Sequence, residues 1–283
     1  MKEFRGRVAV ITGGASGIGR ALAQRFGAEG MRIVVADIEE PALSATVGKL
    51  GRRGIEVIGV QTDVSDAGQM DDLAQRTLGE FGRVDVVCNN AGVFSVRTFS
   101  ETTLETWKWI VDTNLWGVVH GCHTFLPILS AQEGGHIVNT ASVFGLCGTL
   151  GPSAYVATAS AIIGMTEAMA FDLESSGSAV KVSVLCPAFV RTDLARANRN
   201  AADSIRADDE RMELSGLQRF AKLAYAAGLR PSVVAEATFQ ALIDERFYVL
   251  PHPRAAVAAI TNRLTWVTDD VMSDFDWTMG IVP

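Results

Sequence analysis

Short runs of β-branched and apolar residues alternate with longer helical patterns over the first two-thirds of the 283-residue chain. Each apolar run is nearly continuous, which predicts strands buried on both faces and therefore a parallel sheet covered by helices on both sides. Right-handed crossovers then favour a doubly wound α/β fold. The predicted strands are Val8–Thr12, Arg32–Asp37, Glu56–Gln61, Val84–Asn89, His136–Ser142, Lys181–Pro187 and, as a short seventh, Phe247–Leu250.

One domain is predicted over residues 1–253, because no repeat, low-complexity tract or linker divides this part of the chain. Within it, residues 193–227 follow the sixth strand and have a helical composition, so we expect this segment to move and to cover a substrate. Residues 254–283 form a C-terminal extension that carries aromatic side chains. Such a tail is expected to dock on its own subunit or on a neighbour.

Composition argues against several functional classes. The formal net charge of −7 disfavours a protein held by nucleic-acid phosphates. The four cysteines are widely spaced and have no CxxC pairing, which favours buried thiols and a cytoplasmic location. The apolar run at residues 8–12 is too short for a signal peptide, and the apolar stretch at 109–129 is interrupted by polar residues, which predicts a buried helix and no membrane span. His120 and His123 lack further ligands in a metal-binding pattern, so no metal is expected.

A glycine-rich turn follows the first strand and leads directly into a helix. In the sequence Gly13-Gly14-Ala15-Ser16-Gly17-Ile18-Gly19, Gly13 permits a tight turn, Gly17 lets the backbone approach a pyrophosphate, and Gly19 lets the helix pack on the strand. The N–H groups and the positive dipole end of that helix favour phosphate binding. This pattern predicts a Rossmann sheet that binds a dinucleotide.

The acidic residue at the end of the second strand indicates which dinucleotide is bound. Asp37 lies 18 residues after Gly19, where a carboxylate accepts hydrogen bonds from ribose hydroxyls and repels a 2′-phosphate. The next residue is Ile38 rather than a lysine or arginine that would attract a 2′-phosphate. The predicted cofactor is therefore NAD rather than NADP.

The glycine turn and a series of later motifs together resemble the short-chain dehydrogenase/reductase family. The resemblance extends roughly from Arg5 to Leu250. The matching positions are Asp63-Val64, Asn89-Asn90-Ala91-Gly92, Asn114, Ser142, Tyr155, Pro187 and Thr192.

The resemblance implies a role for each of these positions. Asp63 and Val64 would contact the adenine. The Asn90-Ala91-Gly92 segment would support the sheet and line the cofactor. The segment from Pro187 through Val190 to Thr192 would bind the nicotinamide carboxamide. Asn114 would take part in a proton relay. Family members usually form tetramers, so a homotetramer or homodimer is expected.

The chemistry of Ser142 and Tyr155 is consistent with that resemblance. Hydride transfer between an alcohol and a ketone needs an acid/base group on the oxygen and a neutral hydrogen-bond donor that polarises it. Tyr155 would be the acid/base, and Ser142 the polarising hydroxyl. A free tyrosine has a pKa of ~10, so a nearby positive charge must lower it. The family places a lysine four residues after the tyrosine, one turn along the same helix face.

This chain departs from the family at that position, which is Ala159. No lysine or arginine occurs between Trp109 and Val180, so no neighbouring register restores the charge. We expect activity to be impaired by roughly 10²–10⁴-fold, the range of a positioned acid/base group. Three explanations stay open: a deliberate lysine-to-alanine substitution, a natural variant, and a replacement cation from elsewhere in the chain.

The predicted substrate is a secondary alcohol or ketone with an apolar body, because the expected pocket walls are mostly apolar. Arg97 and Arg191 offer a carboxylate site, although a solvated or structural role is favoured for both. A non-catalytic NAD-binding regulatory or structural protein is the alternative function. The predicted walls are Phe94, Val96, the segment Val143 to Cys147, and Ala188-Phe189-Val190.

Overall fold

The computed structural model describes residues 3–132, 134–211 and 216–271. Its centre is a seven-stranded sheet in the order β3-β2-β1-β4-β5-β6-β7, and every neighbouring pair of strands is parallel. The doubly wound Rossmann fold is thus confirmed, and the predicted strand ends differ from the observed ones by no more than two residues. The strands are β1 Val8–Thr12, β2 Arg32–Asp37, β3 Val57–Gln61, β4 Val86–Asn89, β5 Gly135–Thr140, β6 Val180–Leu185 and β7 Tyr248–Val249.

Helices connect the strands and cover both faces of the sheet. The stretch at 109–129, predicted as one buried helix, is divided in the structure by a π-helical turn, Val111–Trp116. A 3₁₀ turn at Val143–Gly145 follows β5, and a longer 3₁₀ segment, Asp193–Asn200, follows β6. The helices are α1 Gly17–Ala28, α2 Glu40–Gly51, α3 Ala67–Phe81, α4 Leu104–Ile110, α5 Gly117–Ala131, α6 Ser153–Ser175, α7 Asp203–Arg211, α8 Gly216–Ala227, α9 Pro231–Asp244 and α10 Pro253–Asp269.

Two apolar layers enclose the sheet, and β1 contributes to both. Val8 and Val10 point into the layer formed with α3, α5 and α6, whereas Ala9 and Ile11 point into the layer formed with α1 and α9. All five residues of β1 are buried. Burial on both faces explains why the strand sequences are continuously apolar rather than alternating.

The sheet has a topological switch point between β1 and β4. The chain leaves β1 towards β2 on one side and leaves β4 towards β5 on the other, so the two connections diverge above the carboxyl ends of these strands. In open α/β sheets a crevice forms at this point and binds ligands. The glycine turn after β1 and the Asn90 segment after β4 both lie there.

The C-terminal extension contacts the body of its own chain over the described residues. Helix α10 packs on the turn Val143–Gly145, and the Nδ2 of Asn262 lies 3.6 Å from the Sγ of Cys147. Of the three aromatic residues predicted to anchor the tail, Trp266 lies on α10, and Phe275 and Trp277 lie outside the described residues. The boundary between domain and extension at residues 253 and 254 stays a prediction.

Helix α6 is, in the described part of the chain, the one helix long and apolar enough to span a membrane by length and composition. It packs against β5, β6 and the turn Val143–Gly145. Apolar core helices of soluble proteins meet the same criteria, so this finding carries little weight for a membrane location.

Candidate active site

The glycine turn after β1 lines a cleft of about 290 Å³ at the switch point. Gly13 has a φ of +61° and Gly17 a φ of +48°, the left-handed region that side chains rarely adopt. A Cβ on Gly13 would lie 2.8 Å from the Cα of Ala91, and a Cβ on Gly19 would collide with the carbonyl oxygen of Gly13. Gly13 therefore requires glycine for both conformation and space, Gly17 for its conformation, and Gly19 for space.

Helix α1 presents its amino end to the cleft. Ser16, the residue before its first turn, has extended backbone angles, and within the described chain its side chain does not cap the helix. Ser16, Gly17 and Ile18 all line the cleft. Uncapped N–H groups at the positive end of a helix dipole suit the phosphates of a dinucleotide.

Asp37 lies at one end of the same cleft, where β2 ends. Its two carboxylate oxygens accept hydrogen bonds from the backbone N–H groups of Ala15, at 3.0 Å, and Glu39, at 3.1 Å. Burial raises the pKa of Asp37, and these two bonds act in the opposite direction. Both bonds orient the carboxylate towards the place where an adenosine ribose is expected.

Sequence reasoning missed an ion pair beside Asp37. Glu39 is held by Arg199, with 2.6 Å between Nη2 and Oε1, and by the Nδ2 of Asn200 at 2.7 Å. All three residues line the cleft. Glu39 follows Asp37 closely enough to be suspected from sequence, but no local pattern connects it with Arg199, which is 160 residues away.

The ends of β1 and β4 are joined by a compact set of hydrogen bonds. The hydroxyl of Thr12 accepts from the backbone N–H groups of Asn90, at 3.0 Å, and Ala91, at 3.1 Å. The side-chain amide of Asn90 donates to the carbonyl oxygen of Thr12 at 3.0 Å. These bonds fix the floor of the cleft between the two strands.

Asn114 is 5% exposed and sits in the π-helical turn Val111–Trp116. Its Oδ1 accepts from the backbone N–H of Val93 at 2.7 Å, and its Nδ2 donates to the carbonyl oxygen of Val93 at 2.9 Å. Single π-helical turns inside longer helices are frequent at functional sites. Here the turn places Asn114 beside Val93, the residue that directly follows the Asn90-Ala91-Gly92 segment.

Ser142 and Tyr155 meet at the other end of the cleft. The hydroxyl of Ser142 accepts from the N–H of Phe144 and donates to the carbonyl oxygen of Pro187, both at 3.2 Å. Tyr155, in the first turn of α6, packs edge-on against Phe94 with ring centroids 4.9 Å apart. Burial raises the pKa of Tyr155 to about 12, although a hydrogen bond with Ser142 opposes the shift.

Ala159 lies one turn of α6 beyond Tyr155 and also lines the cleft. It is 3% exposed. Among the described residues that line this cleft, Arg199 is the one lysine or arginine, and it is bonded to Glu39 beside Asp37. The described part of the cleft therefore offers Tyr155 no positive side chain at the catalytic end.

Most of the predicted site residues lie together around this cleft. Ser142 and Gly19 do not line the cleft themselves. Ser142 is hydrogen-bonded to Tyr155, which lines it, and Gly19 packs closely against Gly13, which also lines it. The predicted residues that line the cleft are Gly13, Ser16, Gly17, Ile18, Asp37, Ile38, Asp63, Val64, Asn90, Ala91, Gly92, Asn114, Tyr155, Ala159, Pro187, Val190 and Thr192.

The predicted substrate walls are found only in part. Ala188 and Val190 line the cleft, and Phe94 and Val96 line a neighbouring cavity. The segment 143–147 and Phe189 are buried, and they line neither of these two cavities. Tyr225, which was not predicted, lines both cavities and packs edge-on against Phe94 and Phe189.

Within the described residues, no group of three or more histidine, cysteine or acidic side chains is placed to hold a metal ion. The Nδ1 of His120 instead lies 2.9 Å from the carbonyl oxygen of Val64. His120 therefore connects α5 to the chain that follows β3.

Comparison with known proteins finds relatives that are named as dehydrogenases or reductases, and one of them aligns with the whole chain. The short chain dehydrogenase family model matches residues 7–203. A CLA biosynthesis dehydrogenase/reductase from Lactiplantibacillus plantarum is 37% identical over 288 aligned residues, with 100% of both chains covered. The C alpha-dehydrogenase of Sphingobium sp. (strain NBRC 103272 / SYK-6) is 32% identical, with 89% of this chain and 83% of the relative covered.

A solved structure is similar to this chain in both fold and sequence. The crystal structure of a short chain dehydrogenase/reductase from Burkholderia phymatum, in complex with NAD, matches with a TM-score of 0.91 and 40% sequence identity. The match covers 97% of this chain and 99% of the Burkholderia chain. With the family model matching well over half of its length, this chain belongs to the short-chain dehydrogenase/reductase family.

Proposed function

We propose that this protein is an NAD-dependent oxidoreductase that transfers a hydride between NAD(H) and a secondary alcohol or ketone. The observation that carries the proposal is one cleft with Asp37 at one end and Tyr155, which is hydrogen-bonded to Ser142, at the other. Both ends lie above the carboxyl ends of the strands, where ligands bind in this fold. The relatives' names as dehydrogenases or reductases and the NAD in the Burkholderia structure support the same assignment.

The residues of the cleft fit NAD. The uncapped amino end of α1 suits the pyrophosphate, and the anchored carboxylate of Asp37 suits two ribose hydroxyls. The carboxylate of Asp37 would repel the 2′-phosphate of NADP. The nearby cation that could attract this phosphate, Arg199, is already bonded to Glu39. In this proposal Asp63, Val64 and the Asn90-Ala91-Gly92 segment contact the adenosine side and the floor, and the segment from Pro187 to Thr192 contacts the carboxamide.

In the proposed reaction the chain's residues handle the proton. Bound NAD⁺ supplies the hydride acceptor for alcohol oxidation. The ionised Oη of Tyr155 takes the proton from the substrate hydroxyl, the hydride leaves the carbon that bears this hydroxyl, and Ser142 hydrogen-bonds to the oxygen as it becomes a carbonyl. Asn114 keeps its position through its two bonds with Val93 and so maintains the wall on which the cofactor rests.

We propose that the missing positive charge strongly impairs this reaction. A phenol with a pKa of about 12 is almost entirely protonated near neutral pH and is a poor general base. Alanine at position 159 offers neither a charge nor a hydrogen-bond donor. Of the three explanations for Ala159, a replacement cation receives no support from the described lining of the cleft.

The alternative function is an NAD-binding regulatory or structural protein without catalysis. The raised pKa of Tyr155 is the observation that favours it. The bonded and packed Ser142–Tyr155 pair argues against it, because a pure binding protein has no need of this pair.

A single-turnover experiment separates the two functions. Concentrated protein is mixed with NAD⁺ and a panel of secondary alcohols at pH 7–10, and NADH is followed by its absorbance. Hydride transfer that increases with pH supports the enzyme, and a flat response together with measurable NAD binding supports the binding protein. Tyr155→Phe is the matched control, because it keeps the ring packing and removes the hydroxyl.

We further propose a cytoplasmic homotetramer or homodimer, an expectation that follows from the family resemblance. Sedimentation equilibrium on the purified full chain measures the assembly directly. A monomer at micromolar concentration would contradict this part of the proposal.

A further inference from the structure

A second cavity, of about 470 Å³, adjoins the catalytic cleft. Thr192, Asp193 and Tyr225 line both spaces, so the two share a wall. Phe94, which packs edge-on against Tyr155, also lines the second cavity. The two cavities are thus adjacent, and a molecule with its reacting carbon at Tyr155 would pass Phe94 and Tyr225 to reach the second one.

The two cavities differ in charge. The second is lined by Arg191, Arg196 and Lys222, with Asp193 as its one carboxylate among the described lining residues. The described lining of the catalytic cleft has the opposite balance, because it has one arginine, Arg199, and five carboxylates, which are Asp37, Glu39, Asp63, Asp112 and Asp193. In a chain whose formal net charge is −7, a cavity with a surplus of positive side chains is the feature that needs an explanation.

The local structure positions these cations at the rim. The Nε of Arg191 donates to the carbonyl oxygen of Ala226 at 3.1 Å, which fixes the guanidinium beside the end of α8. Lys222 and Ala226 are four residues apart on one face of α8. Arg196 lies at the break in the 3₁₀ segment, where its φ of −115° and ψ of 22° depart from helical values.

The second cavity also has an apolar part, beside the neutral polar residues Ser95, Thr192, Asn198 and Gln218. Phe94, Val96, Ala221 and Tyr225 contribute side chains to it, and Tyr225 is 5% exposed. The three cations are exposed, so they remain hydrated and can accept an anion without the cost of burying a charge. A partly apolar cavity with exposed positive side chains fits an amphipathic molecule rather than a small polar one.

From these observations we infer that the substrate is an organic acid. Its secondary alcohol or ketone lies at Ser142 and Tyr155, its apolar body crosses Phe94 and Tyr225, and its carboxylate lies among Arg191, Arg196 and Lys222. This inference rests on the proposed function, because it deepens the specificity of the same site.

Binding of a matched pair of ligands tests the inference without relying on turnover. The protein is first saturated with NADH, and 9-oxodecanoate or its methyl ester is then titrated while NADH fluorescence and heat of binding are recorded. We expect the acid to bind roughly tenfold more tightly than the ester, and the difference to shrink with added salt because exposed ion pairs are screened.

Single charge removals identify the residues responsible. Arg191→Gln, Arg196→Gln and Lys222→Gln should each weaken binding of the acid by roughly two- to fivefold, the range of exposed ion pairs, and leave the ester unchanged. Arg53→Gln, which removes an exposed cation that lines neither cavity, is the matched control and should change neither ligand.

The outcomes separate this inference from the proposed function. If NADH binds and the acid shows no preference over the ester, or the three variants behave like Arg53→Gln, the organic-acid inference is overturned and the proposed function stands. If NADH itself does not bind, the proposed function fails and the inference falls with it.

Discussion

The two ends of the catalytic cleft differ in how completely they are built. At the adenosine end, Asp37 accepts two backbone hydrogen bonds, and the neighbouring Glu39 is paired with Arg199. At the catalytic end, Ser142 and Tyr155 are bonded and packed, but burial raises the pKa of Tyr155 to about 12 and no positive side chain lines the described cleft beside it.

This difference shows that the geometry of a site can be complete while its electrostatics are not. Close packing at the glycine turn, hydrogen bonds at the strand ends and aromatic packing hold Gly13, Asn90 and Tyr155 in place without the lysine. The charge that tunes an acid/base group is a separate property, and one residue can remove it while the fold stays intact. Each end of the cleft can be changed separately by substitution.

Restoring the charge at the catalytic end should give the largest effect. In Ala159→Lys, an ammonium group beside Tyr155 lowers the pKa of the phenol and is expected to raise kcat for alcohol oxidation by roughly 10²–10⁴-fold. NADH absorbance under saturating NAD⁺ measures it. Ala157→Lys, on an exposed position of the same helix, is the control. Equal rates in the two variants would show that position 159 is not where the charge is missing.

Alkaline pH should partly replace the missing charge. The rate of alcohol oxidation follows the ionised fraction of Tyr155, so it should increase about 100-fold between pH 8 and 10, both below the pKa of about 12. Folding raises the pKa of Tyr155 from ~10, its value in the unfolded chain, to about 12. The contribution of this group to the free energy of unfolding is therefore fully present at a pH below ~10 and is lost as the pH rises through about 12. Assays therefore end at pH 10. The same slope in Tyr155→Phe would assign the pH dependence to another group.

Sequence reasoning succeeded where local pattern determines structure. The strands were predicted from continuous apolar runs because burial on both faces leaves that signature, and the glycine turn was predicted because a positive φ and close backbone contacts require glycine. The Arg199–Glu39 pair and Tyr225 were missed, because tertiary packing alone brings the segment after β6 over the cleft. The helix at 109–129 was predicted as continuous because a π-helical turn changes hydrogen bonding without changing the apolar pattern.

Weakening the adenosine end should affect cofactor binding more than chemistry. In Asp37→Ala the ribose loses a charged hydrogen-bond acceptor, and the Kd for NAD⁺ is expected to rise roughly 10- to 100-fold, the range for hydrogen bonds to charged groups. Isothermal titration of the purified protein gives this value. Asp72→Ala, which removes an exposed acid on α3, should leave the Kd unchanged. A Kd for Asp37→Ala that matches the control would place the ribose elsewhere.

The smallest effect is expected from supplying the charge as a free molecule. Ala159 lines the cleft, so an ethylammonium ion can enter the space beside Tyr155 and act as an untethered lysine head group. Without the pre-organisation of a covalent side chain, the rate of alcohol oxidation should rise only roughly two- to tenfold. The assay runs at pH 9, below the pKa of ~10.4 of a simple alkylamine, so that the amine is charged. Sodium chloride at equal ionic strength should have no such effect, and Ala159→Lys should gain nothing from the amine, because its own side chain fills the space. Equal stimulation of both proteins would mean that ethylammonium acts outside this space, and the missing charge would then have to be sought at another position in the site.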